Sequence, residues 1–244
     1  MTSLKSRHHI LGLAVCFSLF TATAAWARFN PKPTTPVGPM TTGGVRGCAT
    51  ETPLAFTALA PVSTITELTA NQALVAWYSP DRAAYQITLN LYEVVAPGTA
   101  PTPWKLVKQV DKFENKEGVK FYRLPAELLQ EGKVYAWQAV LECVPGYPSA
   151  DIVVESQFQV VSTPIDLQKQ LNKAMDARSR AKLYAAAGLW YSALTEAEPS
   201  RAIQLELLQD LIMYEQTQNA PSPWLELGRK HSESLTKIVE TLSQ

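Results

Sequence analysis

The hydrophobic period of this chain changes once, at Val161, and that change limits the possible folds more than any other feature. Upstream of it, apolar residues recur at every second position. In the segment Tyr85–Tyr92, the side chains of Tyr85, Ile87, Leu89 and Leu91 share one face while Gln86, Thr88 and Asn90 share the other, as a half-buried strand requires. Six further strand-length, β-rich segments are Leu54–Ala60, Ala73–Ser79, Trp104–Val110, Val119–Leu124, Val134–Cys143 and Ile152–Val161. Turn chemistry separates them: Ser79-Pro80-Asp81, Pro97-Gly98 and Pro145-Gly146. Seven short strands between residues 48 and 161 predict an antiparallel sandwich.

Downstream the spacing is helical. Thr163-Pro164-Ile165-Asp166 supplies a capping residue, a proline at the first helical position and an early acid, so a helix is predicted from Pro164. Leu167, Leu171, Ala174 and Met175 fall on one face, and Ala181, Tyr184, Ala185 and Gly188 extend the pattern. Further helices are predicted over Trp190–Glu198 and Ala202–Thr217, with another from Ser222-Pro223-Trp224. Tyr184, Gly188, Trp190 and Ala193 resemble the middle of a tetratricopeptide-type hairpin, where glycine permits the turn and alanine permits close helix packing. One copy is visible, so residues 162–244 read as a helical subdomain, a single hairpin docked on the sandwich plus a terminal helix.

The amino-terminal region reads as an export signal. Lys5 and Arg7 precede the apolar stretch Ile10–Ala25, and the small residues of Ala25-Trp26-Ala27 place a cut before Arg28, so residues 1–27 are expected to be removed. The apolar stretch is too short for a convincing membrane span, and no second one approaches spanning length. The mature protein is therefore expected in the periplasm or at the cell surface, with no stable span after cleavage. Residues 28–47, rich in Pro, Thr and Gly, read as an extended tether with almost nothing to bury. The mature balance of 20 basic against 22 acidic residues, about −2, argues against an electrostatic grip on nucleic acid. Cys48 and Cys143 are the whole mature thiol inventory, and in an exported chain they are expected to form one disulfide.

Catalytic chemistry is hard to find. Two of the three histidines, His8 and His9, leave with the signal, and His231 between Lys230 and Ser232 reads as a solvated surface residue. One histidine makes neither a histidine-based metal site nor an obvious nucleophilic triad. Asp111, Glu114 and Glu117 crowd a loop with Lys108, Lys112, Lys116 and Lys120, the composition of an exposed hairpin rather than a calcium loop. No glycine loop that would cradle phosphate follows any strand, so no catalytic, cofactor or metal residue is assigned. Trp77, Trp137 and Trp190 lie inside patterned elements and read as core. Trp104 and Trp224, each after a proline-rich element start, remain as candidate partner-binding residues.

Two resemblances refine this reading. The stretch from Leu129 to Trp137 is similar to the corner before the penultimate strand of fibronectin type III and immunoglobulin-like domains, which implies that the Tyr135 hydroxyl returns to nearby backbone. The run Gly43–Cys48, the step Leu59-Ala60-Pro61, the strands Trp77-Tyr78 and Tyr135-Ala136-Trp137, and the helix Tyr184…Gly188-Leu189-Trp190-Tyr191…Ala193-Leu194 together resemble a secreted cyanobacterial family of unknown function. Its members join a Gly-x-Arg-x-Cys start to a sandwich and a helical tail, and the resemblance implies an exported, cysteine-paired module without assigning any activity.

The fold expected is therefore α+β: an immunoglobulin/fibronectin-III-like sandwich over residues 48–161 followed by the helical subdomain. The function expected is a non-enzymatic binding or scaffold module whose partner is a protein or an envelope polymer. The alternative is a carboxylate-dependent hydrolase of envelope glycans, which would need two acids converging in a cleft.

Overall fold

The computed structural model describes residues 28–38, 40–41, 48, 54–80, 85–95, 103–114, 116–217 and 222–244, without the side chains of Asp111, Lys112, Glu114 and Ser222. The expected export signal, residues 1–27, and the Asp111 and Glu114 carboxylates lie outside the described residues, while the backbone of both, expected in a loop, belongs to a strand that runs from Trp104 to Glu114.

Among the described residues, eight strands form two sheets. β1 (Thr57–Ala58), β3 (Leu74–Ser79) and β6 (Gly118–Arg123) make one, in the order β1-β3-β6, with antiparallel pairs throughout. The second contains β2 (Thr66–Leu68), β4 (Gln86–Val94), β5 (Trp104–Glu114), β7 (Val134–Glu142) and β8 (Ile152–Val160), in the order β2-β8-β7-β4-β5. Each sheet turns one face to a common core, where Trp77, Trp137, Tyr135 and Phe158 are buried. The architecture is thus a sandwich-like pair of sheets followed by helices. Two details depart from the sequence reading. β2 runs parallel to β8, with Thr66 opposite Phe158, so the larger sheet is mixed rather than antiparallel. Three residues are too few to display a period, which hid this strand. The expected strand Leu54–Ala60 contracts to Thr57–Ala58, ending before Pro61, which has no N–H to offer a ladder.

Cys48 and Cys143 are joined by a disulfide across 95 residues, with their Cα atoms 4.7 Å apart. A loop of that size contributes about 4–5 kcal/mol in the chain-entropy account. At the corner before β7, the Gln130 amide donates to the Tyr135 hydroxyl at 3.0 Å, and Gly132 turns the chain at φ +82°.

Five helices follow among the described residues: α1 (Ile165–Leu171), α2 (Ala177–Ala186), α3 (Trp190–Ala197), α4 (Arg201–Thr217) and α5 (Ser222–Leu242). Pro164 stands just before α1 rather than inside it. Asp176 caps α2, accepting from the Ser179 amide at 2.8 Å and its hydroxyl at 2.7 Å. Between α2 and α3 the chain turns at Gly188 with φ +80°, a conformation that an L side chain rarely adopts. Six of the eight residues of α3 are buried, the pattern of a helix enclosed on most sides. It lies between the helices and the sheets: Trp190 donates its indole N–H to the Leu59 carbonyl at 3.0 Å. The Tyr191 hydroxyl accepts from the Trp137 indole at 2.9 Å and donates to Ser156 at 2.8 Å, and Ser156 donates in turn to the Pro61 carbonyl at 2.5 Å. One apolar core consequently runs through strands and helices alike.

The expected tether is the clearest correction. Its described residues form a strap pressed against the fold. Phe29 is 4% exposed and sits edge-on to Trp190 and Tyr214, with ring centroids 5.1 and 5.0 Å away. The Asn30 amide donates to the Ala185 carbonyl at 3.2 Å, and the Thr34 carbonyl accepts from the Ile65 amide at 2.8 Å. Composition misleads here because a single aromatic anchor and the bonding capacity of an extended backbone suffice to dock a segment poor in apolar side chains.

Candidate interaction face

Alternation along β8 turns Ile152, Val154, Ser156, Phe158 and Val160 inward, and so turns Val153, Glu155, Gln157 and Gln159 to the outer face of the larger sheet. Two of these outward residues are nevertheless buried, because the strap crosses them. Gln157 reads the strap as a neighbouring strand would: its carbonyl accepts from the Val37 amide at 2.9 Å and its amide donates to the Val37 carbonyl at 2.7 Å. Glu155, 2% exposed, accepts from the Thr41 amide at 2.8 Å and from Gln138 on β7 at 2.5 Å. The Thr41 hydroxyl donates to the Val153 carbonyl at 2.7 Å. Burial pushes the Glu155 carboxyl above its ordinary range, against the opposing pull of Gln138 and Thr41.

Trp104 belongs to this arrangement. Its indole donates to the same Val37 carbonyl at 3.2 Å, and its ring packs on Tyr92 with centroids 5.7 Å apart. The register places Val94 opposite Trp104, Tyr92 opposite Leu106 and Asn90 opposite Gln109, so these six side chains occupy one face at the β4–β5 end of the sheet. Leu106 is 50% exposed there, and Gln109 is exposed as well. An aromatic pair, an exposed leucine and two carboxamides, bordered by the strap at Trp104, can stack on and hydrogen-bond an extended polymer or peptide. Trp224 lies elsewhere. It is half-buried in the first turn of α5, a helix that packs on α4 and β1, so the two candidate tryptophans do not converge on one site.

His231 is not on the surface: it is fully buried, with Nε2 2.8 Å from the Ala58 carbonyl and Nδ1 3.6 Å from Glu215 Oε1. A carbonyl only accepts, so Nε2 carries the hydrogen. Glu215, equally buried, accepts from the Val62 amide at 2.7 Å, and a Cβ at Gly228 would stand 2.5 Å from its other oxygen. Burial raises the Glu215 carboxyl, but the His231 charge and the Val62 amide outweigh it and leave it below its ordinary value. With one ring nitrogen on a backbone carbonyl and the other facing a carboxylate, His231 has none left to activate a nucleophile. The pair instead clamps α4 and α5 onto the segment after β1. The sequence did hold a signal, since His231, Leu235 and Ile238 recur at helical spacing and all three are buried.

The two deeply buried carboxylates, Glu155 and Glu215, share no partner: one lies beneath the strap and the other under α5. Among the described residues there is no group of three or more His, Cys, Asp or Glu side chains placed to hold a metal ion. Nor is any helix among them long and apolar enough to cross a membrane.

Comparison with known proteins gives one informative match. The family model described as Domain of Unknown Function (DUF928) matches residues 41–209, more than half of the chain, and so takes in both sheets and the helices up to the first half of α4. No curated protein matches the chain. Among solved structures there is a likeness to Astrotactin-2, described as a conserved vertebrate-specific and perforin-like membrane protein involved in neuronal development. It covers 78% of this chain and 37% of that one at 8% identity and a TM-score of 0.27, too low to carry any argument.

Proposed function

This chain belongs to the DUF928 family, and from that premise we propose that it is an exported, non-enzymatic binding or scaffold module of the periplasm or cell surface. The observation that carries the reading is the β4–β5 face, where Tyr92, Trp104 and Leu106 lie beside Asn90 and Gln109 on a sheet braced from beneath by a shared core. The partner is a protein or an envelope polymer that lies along this face. Export is supported by Ala25-Trp26-Ala27 before Arg28 and by the Cys48–Cys143 disulfide, as in the secreted cyanobacterial family that the Gly43–Cys48 and Gly188–Tyr191 motifs resemble.

The finer fold reading is an immunoglobulin/fibronectin-III-like sandwich. It is supported by the strand orders β1-β3-β6 and β8-β7-β4-β5, and by the Tyr135 hydroxyl closing the corner before β7.

The test is binding of the chain beginning at Arg28 to purified cell-wall polymer and, separately, to solubilised envelope proteins. Replacing Leu106, half exposed, by aspartate is expected to weaken capture by at least about tenfold, or 1.4 kcal/mol, with an unchanged melting temperature. Undiminished binding by Leu106→Asp would move the partner to another surface, and polymer hydrolysis lost on substitution of a single acid would replace the binding reading by an enzymatic one.

A further inference from the structure

The strap starts at the helical layer, with Arg28 exposed and Phe29 buried. Phe29 is enclosed by Trp190 and Tyr214. Asn30 is bonded to Ala185, and Pro31 lies so close to Gly188 that a Cβ there would stand 2.8 Å from the proline Cα. Arg28 lines a cleft of about 610 Å³ together with Asp210, Met213 and Tyr214 of α4. Asp210 is half-buried, and burial raises its carboxyl above the ordinary range against the opposing pull of the Arg28 charge and the Phe29 amide. The main-chain nitrogen of Arg28 is one residue further back, a step of about 3.8 Å between Cα atoms.

The expected cut falls at that nitrogen. Hydrolysis of the Ala27–Arg28 bond adds water across it, leaving a carboxylate on Ala27 and an α-ammonium group on Arg28. A neutral amide becomes a cation beside a half-buried carboxylate. We propose that Asp210 receives the α-ammonium group of Arg28 freed by cleavage after Ala27, so that processing locks the strap onto α2, α3 and α4. Cleavage comes first, because a protease needs an extended chain on both sides of the bond and a buried Phe29 denies it one. The proposal rests on the export reading, yet its structural half is testable without export.

Three chains released from a cleavable fusion provide the test: one beginning at Arg28, the same chain after selective transamination of its α-amine, and one retaining Ala25-Trp26-Ala27. At pH 6.5 the free-amine chain is expected to melt about 2–4 °C above the other two. Asp210→Asn abolishes the difference, and Arg28→Gln, which keeps the α-amine, retains most of it. The charged groups facing Asp210 are Arg28 on the strap, Glu206 on α4 and Lys182 on α2, with the Tyr214 hydroxyl lining the same cleft. Pairing raises the α-amine above its unfolded value of about 7.7–8.0, so the advantage is complete below that pH and disappears as pH rises through the folded value. Equal melting temperatures at pH 6.5, or an α-amine titrating by NMR in its ordinary range in the unsubstituted chain, would overturn the latch. A native amino terminus other than Arg28 overturns the export reading instead, so the two failures are distinguishable.

Discussion

His231 shows how a residue's neighbours in sequence can misrepresent its surroundings. Lys230 is exposed, yet the imidazole between Ala58 and Glu215 is fully buried. Truncating it leaves the Glu215 carboxylate in the interior without its counter-charge, so His231→Ala is expected to cost about 3–5 kcal/mol in urea unfolding. Glu215→Gln combined with His231→Ala should cost less than the sum of the two single changes, because the stranded charge is gone. The carboxyl of Glu215 is held below its usual 4.5 in the folded chain. Its contribution is therefore present above the unfolded value and lost as pH falls through the lower folded one. Unfolding followed between pH 3 and 6 checks this, and a stability flat across that window would contradict the clamp. Trp77, Trp137 and Trp190 were legible as core from their place in periodic segments. Trp104 was legible as a residue at the margin of burial, but its bond to Val37 was not, since nothing local links positions 67 residues apart.

Strands of six residues or more, and helices α3 to α5, declared themselves through their period, whereas the pattern read as continuous from Pro164 to Gly188 is split into α1 and α2, and Met175, expected on its apolar face, is 96% exposed between them. β4 begins one residue and α4 one residue from where alternation and helical spacing put them. What stayed hidden were elements held by backbone rather than side chains: the three residues of β2, and the strap, whose grip on the sheet runs through the Val37 and Thr41 main chain. The side chain of Gln157 substitutes for a missing strand, so Gln157→Ala should release the strap locally while leaving the sheet intact. The expected outcome is faster hydrogen exchange at the Val37 and Thr41 amides with little change at the β7–β8 pair, and a loss of about 1–3 kcal/mol for the groups left unpaired. Unchanged exchange at Val37 would mean that the other strap contacts, among them Phe29, Thr34 and Thr41, hold it without Gln157.

Across the whole molecule, the shared core binds the strand-rich and helix-rich halves into one structure, while the Cys48–Cys143 bond closes the strand-rich half on itself. The hairpin was legible as docked on the sandwich, but the residues of the seam were not, because α3 meets the sheets through contacts far apart in sequence, such as Trp190 with Leu59 and Tyr191 with Ser156. Reduction is expected to remove about 4–5 kcal/mol of loop-closure stabilisation. It should lower the melting temperature in a single transition, without separate melting of strands and helices. Calorimetry with and without reductant reads this directly, and two resolved transitions would show that the halves unfold independently.

The insertion of Phe29 between Trp190 and Tyr214 also sets a timetable. Synthesis delivers the amino terminus first, while both walls of its slot come from helices near the far end of the chain. Phe29 thus appears early and is among the last aromatics to be covered, and until α4 arrives its ring stays open to water and to other chains. Loop closure over nearly the whole length makes such a step slow. The interval before it is the one in which a newly made molecule is most exposed to aggregation or to capture by a chaperone.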